Sequence, residues 1–368
     1  MSLASSLSPF PSRTIALYTA RLFLVRTLAV LTMLVLVLQT LDLLGESGSI
    51  LAYPGNGQPE LWLYVSLRLP QLIARFLPFA VLLGTLITLV QLNQNSEVVI
   101  FKSAGISAHQ ILAPLMLASL AISVLSFAFN ERVLTRSNRA LDAWQNADYG
   151  HVPPGKNVML NVWVRDGDNL IHADAVAGKG QATRLRGVTV YQRTGGHLDA
   201  IITAQAAGPV GKGWRLDGVT RFTVASGKTE TFPSRNVAQG IAPERFTLAD
   251  VDPDQLNFIE LAQAINNLRA AGRPTGPLEA ALHHKISGPL AALLMPLLGA
   301  VAGFGLARSG RLFVRTILGM GLGFAYFVGD NFALAMGNLG AVPPVLAAWA
   351  PFLLFYLIGE SVLFHTEE

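Results

Sequence analysis

"LNQNSEVVIFKSAGIS", residues 92–107, is a polar interruption between two long, largely apolar runs, Leu67–Val90 and Ile111–Phe129. A helix over Ser96–Ala104 would rise about 13 Å, too little to cross a hydrocarbon core of about 30 Å. Ser96 stands where a helix cap is wanted, Glu97 suits the positive N-terminal end, Lys102 the negative C-terminal end, and Gly105 a left-handed stop. Val98 and Phe101, three apart, give the piece a small apolar face. The segment is therefore expected outside the lipid. It either docks in a groove of another protein or simply joins two spans.

Composition widens that expectation to the whole chain. Of 368 residues, 51% are hydrophobic and only 14% charged, against about 25% charged in ordinary soluble domains. Six apolar stretches, 22–44, 68–92, 110–130, 286–306, 312–336 and 345–364, are each about the length of a membrane-crossing helix. The first is followed by no small-residue cleavage site and by five more such runs, so it is not read as a removable signal. Arg13, Arg21, Arg26, Lys102, Arg308, Arg311 and Arg315 fall on the side of the N-terminus, while the opposite short segments hold little beyond Arg68 and Arg75. By the positive-inside rule both chain ends and the 92–107 segment face the cytoplasm, and the long insert between the third and fourth runs faces out. A net charge of +4 without a basic block argues against nucleic acid, and the absence of Cys excludes thiolate metal sites, disulfides and thiol nucleophiles.

The insert reads as β. "NVMLNVWV" (157–164) alternates Val158, Leu160, Val162 and Val164 on one face, and "GVTVYQR" (187–193), "LDAIITAQ" (198–205) and "GWRLDGVTRFTV" (213–224) repeat the period. "RDGDN", "RTGGH" and "VGKGW" between them are hairpin punctuation. Short strands at this spacing suggest an antiparallel sandwich or jelly roll. A helix over 255–271 follows, with Asn257 and Glu260 as a capping box and Gly272 as its stop. The expected divisions are 1–130, 131–280 and 281–368.

The 92–107 segment resembles the stretch joining the second and third helices of the lipopolysaccharide-export permeases, the LptF/LptG family. "RSNRA" (136–140), "DPDQL" (252–256), "HKISGPLAALLMPLLG" (284–299) and "GLGFAYFVGDNF" (321–332) echo the same family in the same order. Within it, "AYFVGDNF" (325–332) is nearer the G-type paralogue. The resemblance implies six transmembrane helices and a periplasmic β-jellyroll domain between the third and fourth, in a multi-pass protein of the bacterial inner membrane. It implies a permease that extracts lipopolysaccharide and passes it to periplasmic jellyroll bridge proteins, in company with a paralogous permease and a cytoplasmic ATPase dimer. The stretch with Ser96, Glu97, Val98, Phe101, Lys102 and Gly105 becomes the coupling helix seated in that ATPase, Glu97 meeting a basic residue there. Helices one and five become a lateral gate, with Gly319, Gly321 and Gly323 as small residues for close packing or sliding.

The chain has no phosphate loop of its own. Gly211-Lys212 is followed by Gly213, and Gly227-Lys228-Thr229 has Phe222 where the first glycine belongs. ATP and Mg are thus expected on the partner, and no cofactor on this chain. For substrate phosphates the basic candidates are Arg136 and Arg139, three apart on a continuing third helix, Lys285 at the mouth of helix four, and Arg75. Asp42 and Asp330 lie near the outer ends of helices one and five, either as plain interfacial residues or as cavity-mouth acids that organise nearby bases. Family members carry a Lys in the outer half of helix one; here "LVLQTLDLLGESG" (36–48) has Gln39 and no Lys, leaving Arg68 or Arg75 to compensate. Competing readings are a membrane scaffold with a β receptor domain and a secondary transporter, which would need ionisable residues at mid-membrane. An aspartyl protease would need two adjacent carboxylates, and His283-His284 lacks metalloprotease spacing.

Overall fold

The computed structural model describes residues 12–151, 159–178, 182–210, 213–237, 251–270, 273–303 and 312–367. By packing, these fall into two units: Met1–Ser47, Gln58–Asn138 and Pro253–Glu368 form one, Gly48–Gly57 and Arg139–Asp252 the other. The second unit thus takes in the hairpin tip between the first two helices as well as the β insert.

The first unit is helical: α1 (Arg13–Ala52), α2 (Gln58–Gln94), α3 (Glu97–Ser103), α4 (Ala108–Phe129), a π turn (Asn130–Leu134), α5 (Thr135–Gln145), α6 (Phe258–Ala270), α7 (Gly276–Gly303), α8 (Leu312–Asn338) and α9 (Pro344–Glu367). The C-terminal parts of α1, from Gly48, and of α5, from Arg139, belong to the second unit. Among the described residues, five segments are long and apolar enough to cross a membrane: α1, α2, α4 running on into α5, α8 from Thr316, and α9 to Phe364. The fourth apolar run, 286–306, forms the second half of α7 as far as Gly303; its last three residues lie outside the described set.

α7 is the centre of the bundle and packs against α2, α4, α8 and α9. Its Ala292, Leu294, Leu297 and Leu298 are buried with Leu86 and Leu89 of α2 and Leu112 and Leu115 of α4. Small residues let these helices approach, because lipid tails supply no hydrophobic drive for helix association. At Gly84 a Cβ would lie 2.9 Å from the backbone N and Cα of Thr27 on α1. The crossing of α1 on α2 therefore depends on that missing side chain. α1 also carries an open apolar face, with Leu28 and Met33 about two-thirds exposed, suited to lipid or another helix.

In the second unit, six strands pair antiparallel in chain order: β1 (Met159–Asp166), β2 (Asn169–Ala177), β3 (Arg184–Thr194), β4 (His197–Val210), β5 (Gly213–Thr223) and β6 (Lys228–Val237). The antiparallel β domain is as expected. Among the described residues its order is a meander, without the Greek-key exchange of a jelly roll. Alternation puts Val162, Val164, Ile171, Val190, Ile202 and Leu216 into one buried face. Thr194 pairs with His197 across Gly195 and Gly196, both at positive φ, the turn a right-twisted hairpin favours. Val158 and Gly272 lie outside the described residues.

Gly84→Val should drive α1 off α2 and lower the thermal unfolding midpoint of the detergent-solubilised chain, the cost being about 1–3 kcal/mol for overpacking. Gly45→Ala, on the same α1 with nothing within 4 Å of the added carbon, should leave the midpoint unchanged or slightly raised.

Candidate functional site: a short helix at one end, a polar chain at the other

α3 stands where the polar interruption predicts it, and its stop follows from the sequence. Gly105 takes φ 80°, its N–H bonds the Lys102 carbonyl, and the Ile106 N–H bonds the Phe101 carbonyl, each at 3.0 Å. That is a complete Schellman closure, and Phe101 and Ile106 both pack on the bundle core. The start differs from the expected cap. Ser96 sits at φ 58°, and its side chain makes no capping bond. A cap oxygen reaches the first amides only from an extended backbone, and Ser96 is instead spent on reversing the chain out of α2. Asn95 does the polar work, its Nδ2 donating to Glu97 Oε1 at 3.1 Å, and the Tyr18 hydroxyl of α1 donates to the same oxygen at 3.3 Å.

The apolar face of α3 is also corrected. Val98 is buried in the core beside Leu92, Ala108 and Ile111, and Phe101 packs against them. They anchor the helix and do not present a surface to a partner. The exposed apolar residues are Val99 and Ile100, at 50% and 59%, with Lys102 exposed near them. The i, i+3 pairing found the amphipathic stripe but not which way it turned.

At the far end of the bundle the charged residues are tied together. Asp42 of α1 accepts from Tyr64 Oη at 2.7 Å and from Arg68 Nε and Nη2 of α2 at 3.0 and 2.9 Å. Arg68 Nη1 donates to Gln71 Oε1. Gln71 Nε2 donates to Asn138 Oδ1 of α5 at 2.8 Å, and Asn138 Nδ2 donates to the Asp254 carbonyl at 3.0 Å. A continuous polar chain so joins α1, α2, α5 and the turn before α6. It bridges the "RSNRA" and "DPDQL" segments. Asp42 does organise a base, but Arg68 is held by it and is not left to replace a helix-one Lys.

Lys285 is likewise committed. Its Nζ lies 3.9 Å from Glu131 Oε1, with both side chains about 15% exposed. Glu131 Oε2 also accepts the Phe258 N–H and so caps α6. The π turn places Glu131 there, and hydropathy carries no sign of such a turn. Lys285 is thus a tie between α7, the π turn and α6. Asp330 of α8 pairs with His284 Nε2 of α7 at 3.0 Å, the two helices being in contact. Of the glycines on α8, Gly319 and Gly323 are buried and Gly321 faces open space. A Cβ on Gly323 would run into the Leu82 side chain of α2, so its close approach is to α2 and not to α1.

Arg75 of α2 and Arg136 and Arg139 of α5 remain exposed. Arg132, in the π turn four residues before Arg136, is exposed as well and extends the basic row. Sequence pattern does not single out Tyr64, Gln71, Glu131, Arg132 or Asn138, and it presents His284 only as half of a His pair without metalloprotease spacing. Asn138 sits inside a quoted motif, yet only its neighbours were singled out, because charge is visible in a sequence and buried amide pairing is not.

The family model described as lipopolysaccharide export system permease LptF/LptG matches residues 17–365 of the chain. The lipopolysaccharide export system permease protein LptG of Escherichia coli strain K12 is 27% identical over 311 residues, covering 82% of this chain and 84% of that one. The protein of the same name from Haemophilus influenzae is 26% identical over 317 residues, covering 83% and 86%.

A part-buried pair such as Glu131–Lys285 leaves an uncompensated charge when one side is removed. Lys285→Met alone should destabilise the solubilised chain by about 3 kcal/mol, and Glu131→Gln with Lys285→Met should recover most of that loss in a thermal melt.

Proposed function

The chain belongs to the lipopolysaccharide export system permease LptF/LptG family, and from that premise we propose that it is the G-type membrane subunit of an ATP-driven lipopolysaccharide extractor. The relatives it matches over four-fifths of its length carry the LptG name. Its multiple apolar helices suit a multi-pass protein of the inner membrane, with the β unit in the periplasm and α3 in the cytoplasm.

The observation that carries the reading is α3. It is short, closed by a stop that shortens it to Glu97–Ser103, and pinned to the bundle through Val98 and Phe101. Its other face offers Val99, Ile100 and Lys102 outward, with Glu97 oriented by Tyr18 and Asn95. A helix held on one side and open on the other moves with the bundle when its open side is pushed. With no phosphate loop in the chain, that push comes from an ATPase dimer holding the ATP and Mg. The face it would grip is Val99 and Ile100, flanked by Glu97 and Lys102.

At the periplasmic end, Arg136 and Arg139, with Arg132 and Arg75, take the phosphates of the lipid as guanidinium forks. The exposed apolar faces of α1 and α8 line the way in from the membrane, opposite a paralogous permease. The β unit receives the lipid and hands it on by strand pairing with bridge proteins. β6 carries Pro233, which cannot donate to a new ladder, so β1 is the better edge.

Ile100→Asp and, separately, Glu97→Lys should cut co-purification of the ATPase at least tenfold while the chain still inserts and melts normally. Wild-type recovery of the ATPase with both variants would contradict the reading.

A further inference from the structure

Resting on the reading of the α5 arginines as phosphate ligands, we propose that Asn138 is a positioning residue for substrate recognition. It holds α5 at the rotation that presents Arg136. The bonds of Asn138 admit one orientation only. Arg68 has donors alone, so Gln71 must turn its Oε1 to Arg68 and its Nε2 to Asn138. Asn138 must then accept at Oδ1, leaving Nδ2 for the Asp254 carbonyl, which can only accept. Both amides are locked between a donor-only and an acceptor-only end, and neither can flip without losing two bonds.

α5 needs such a lock because it follows the π turn Asn130–Leu134. The extra residue of that turn shifts the helical phase, so α5 does not simply carry on the rotation of α4. Asn138 is 9% exposed, and Arg136, two residues earlier, stands about 160° round the helix from it. Fixing Asn138 against α2 and the Pro253–Gln255 turn therefore aims Arg136 outward. A rotation of about 30° would swing a group about 6 Å from the axis by about 3 Å, a whole hydrogen-bond length. Asn138 touches no ligand in this account; it acts through Arg136.

The test uses the full chain with its co-purifying subunits in lipid nanodiscs. The probes are hexa-acylated lipid A with two phosphates and the same lipid after phosphatase treatment. Wild type should prefer the phosphorylated lipid at least tenfold, and Arg136→Ala should abolish most of that preference. Asn138→Ala and Gln71→Ala should each reduce the preference about fivefold while leaving affinity for the dephosphorylated lipid unchanged. Asn138→Ala added to Arg136→Ala should cause no further loss. The exchange Gln71→Asn with Asn138→Gln, which keeps every donor and acceptor, should restore it. Full preference in both Asn138→Ala and the near-isosteric Asn138→Asp, alongside loss in Arg136→Ala, would overturn the positioning role. So would an equal loss for both lipids. Full preference in Arg136→Ala would instead strike the phosphate reading, and the positioning role with it.

Discussion

Hydrocarbon offers no water to a polar group, and the layout of this bundle follows from that constraint. Long helices satisfy their own backbones, so the chain can afford irregular backbone only at the bundle ends. There the turn between α2 and α3 reverses the chain at Ser96. The charged side chains obey the same rule. Asp42 holds Arg68, Glu131 holds Lys285, His284 meets Asp330, and at the α3 end His109 lies 3.6 Å from Glu360. Arg75, Arg132 and Arg136 at one end and Lys102 at the other are exposed.

The sequence made the architecture legible because hydrophobic length is a long-range signal that no single contact can overturn. As far as the described residues reach, the apolar runs lie in helices, and the short helix after α2, its glycine stop and the Asn257–Glu260 capping box appear where pattern puts them. Four strands were readable from alternation. β2 and β6 were not: β2 breaks its alternation between Ala173 and Val176, and β6 is an edge strand with Pro233 and few apolar residues. The site was less legible. Lys285 and Arg68 look like free bases in a sequence, and only the fold brings Glu131 from 154 positions away, or Asp42 from 26, to neutralise them. Val98 and Phe101 look like a docking face for the same reason: periodicity locates a stripe, and packing decides what covers it.

The two ends of the bundle use polar groups differently. At the α3 end a small apolar anchor, Val98 and Phe101, fixes a helix whose Val99 and Ile100 stay exposed. At the far end a directed series of hydrogen bonds, from Asp42 to the Asp254 carbonyl, ties three helices and a turn, while Arg136 stays exposed.

The claim on which this account rests is that α3 lies on the cytoplasmic face, held by Val98 and open at its other side. The chain has no cysteine, so single Ser103→Cys and Val98→Cys variants can be labelled with a membrane-impermeant maleimide in sealed right-side-out and inside-out vesicles. The account predicts rapid labelling of position 103 from the cytoplasmic side alone, slowed when the ATPase is present, and no labelling of position 98 from either side. Labelling of position 103 from the periplasmic side would contradict it.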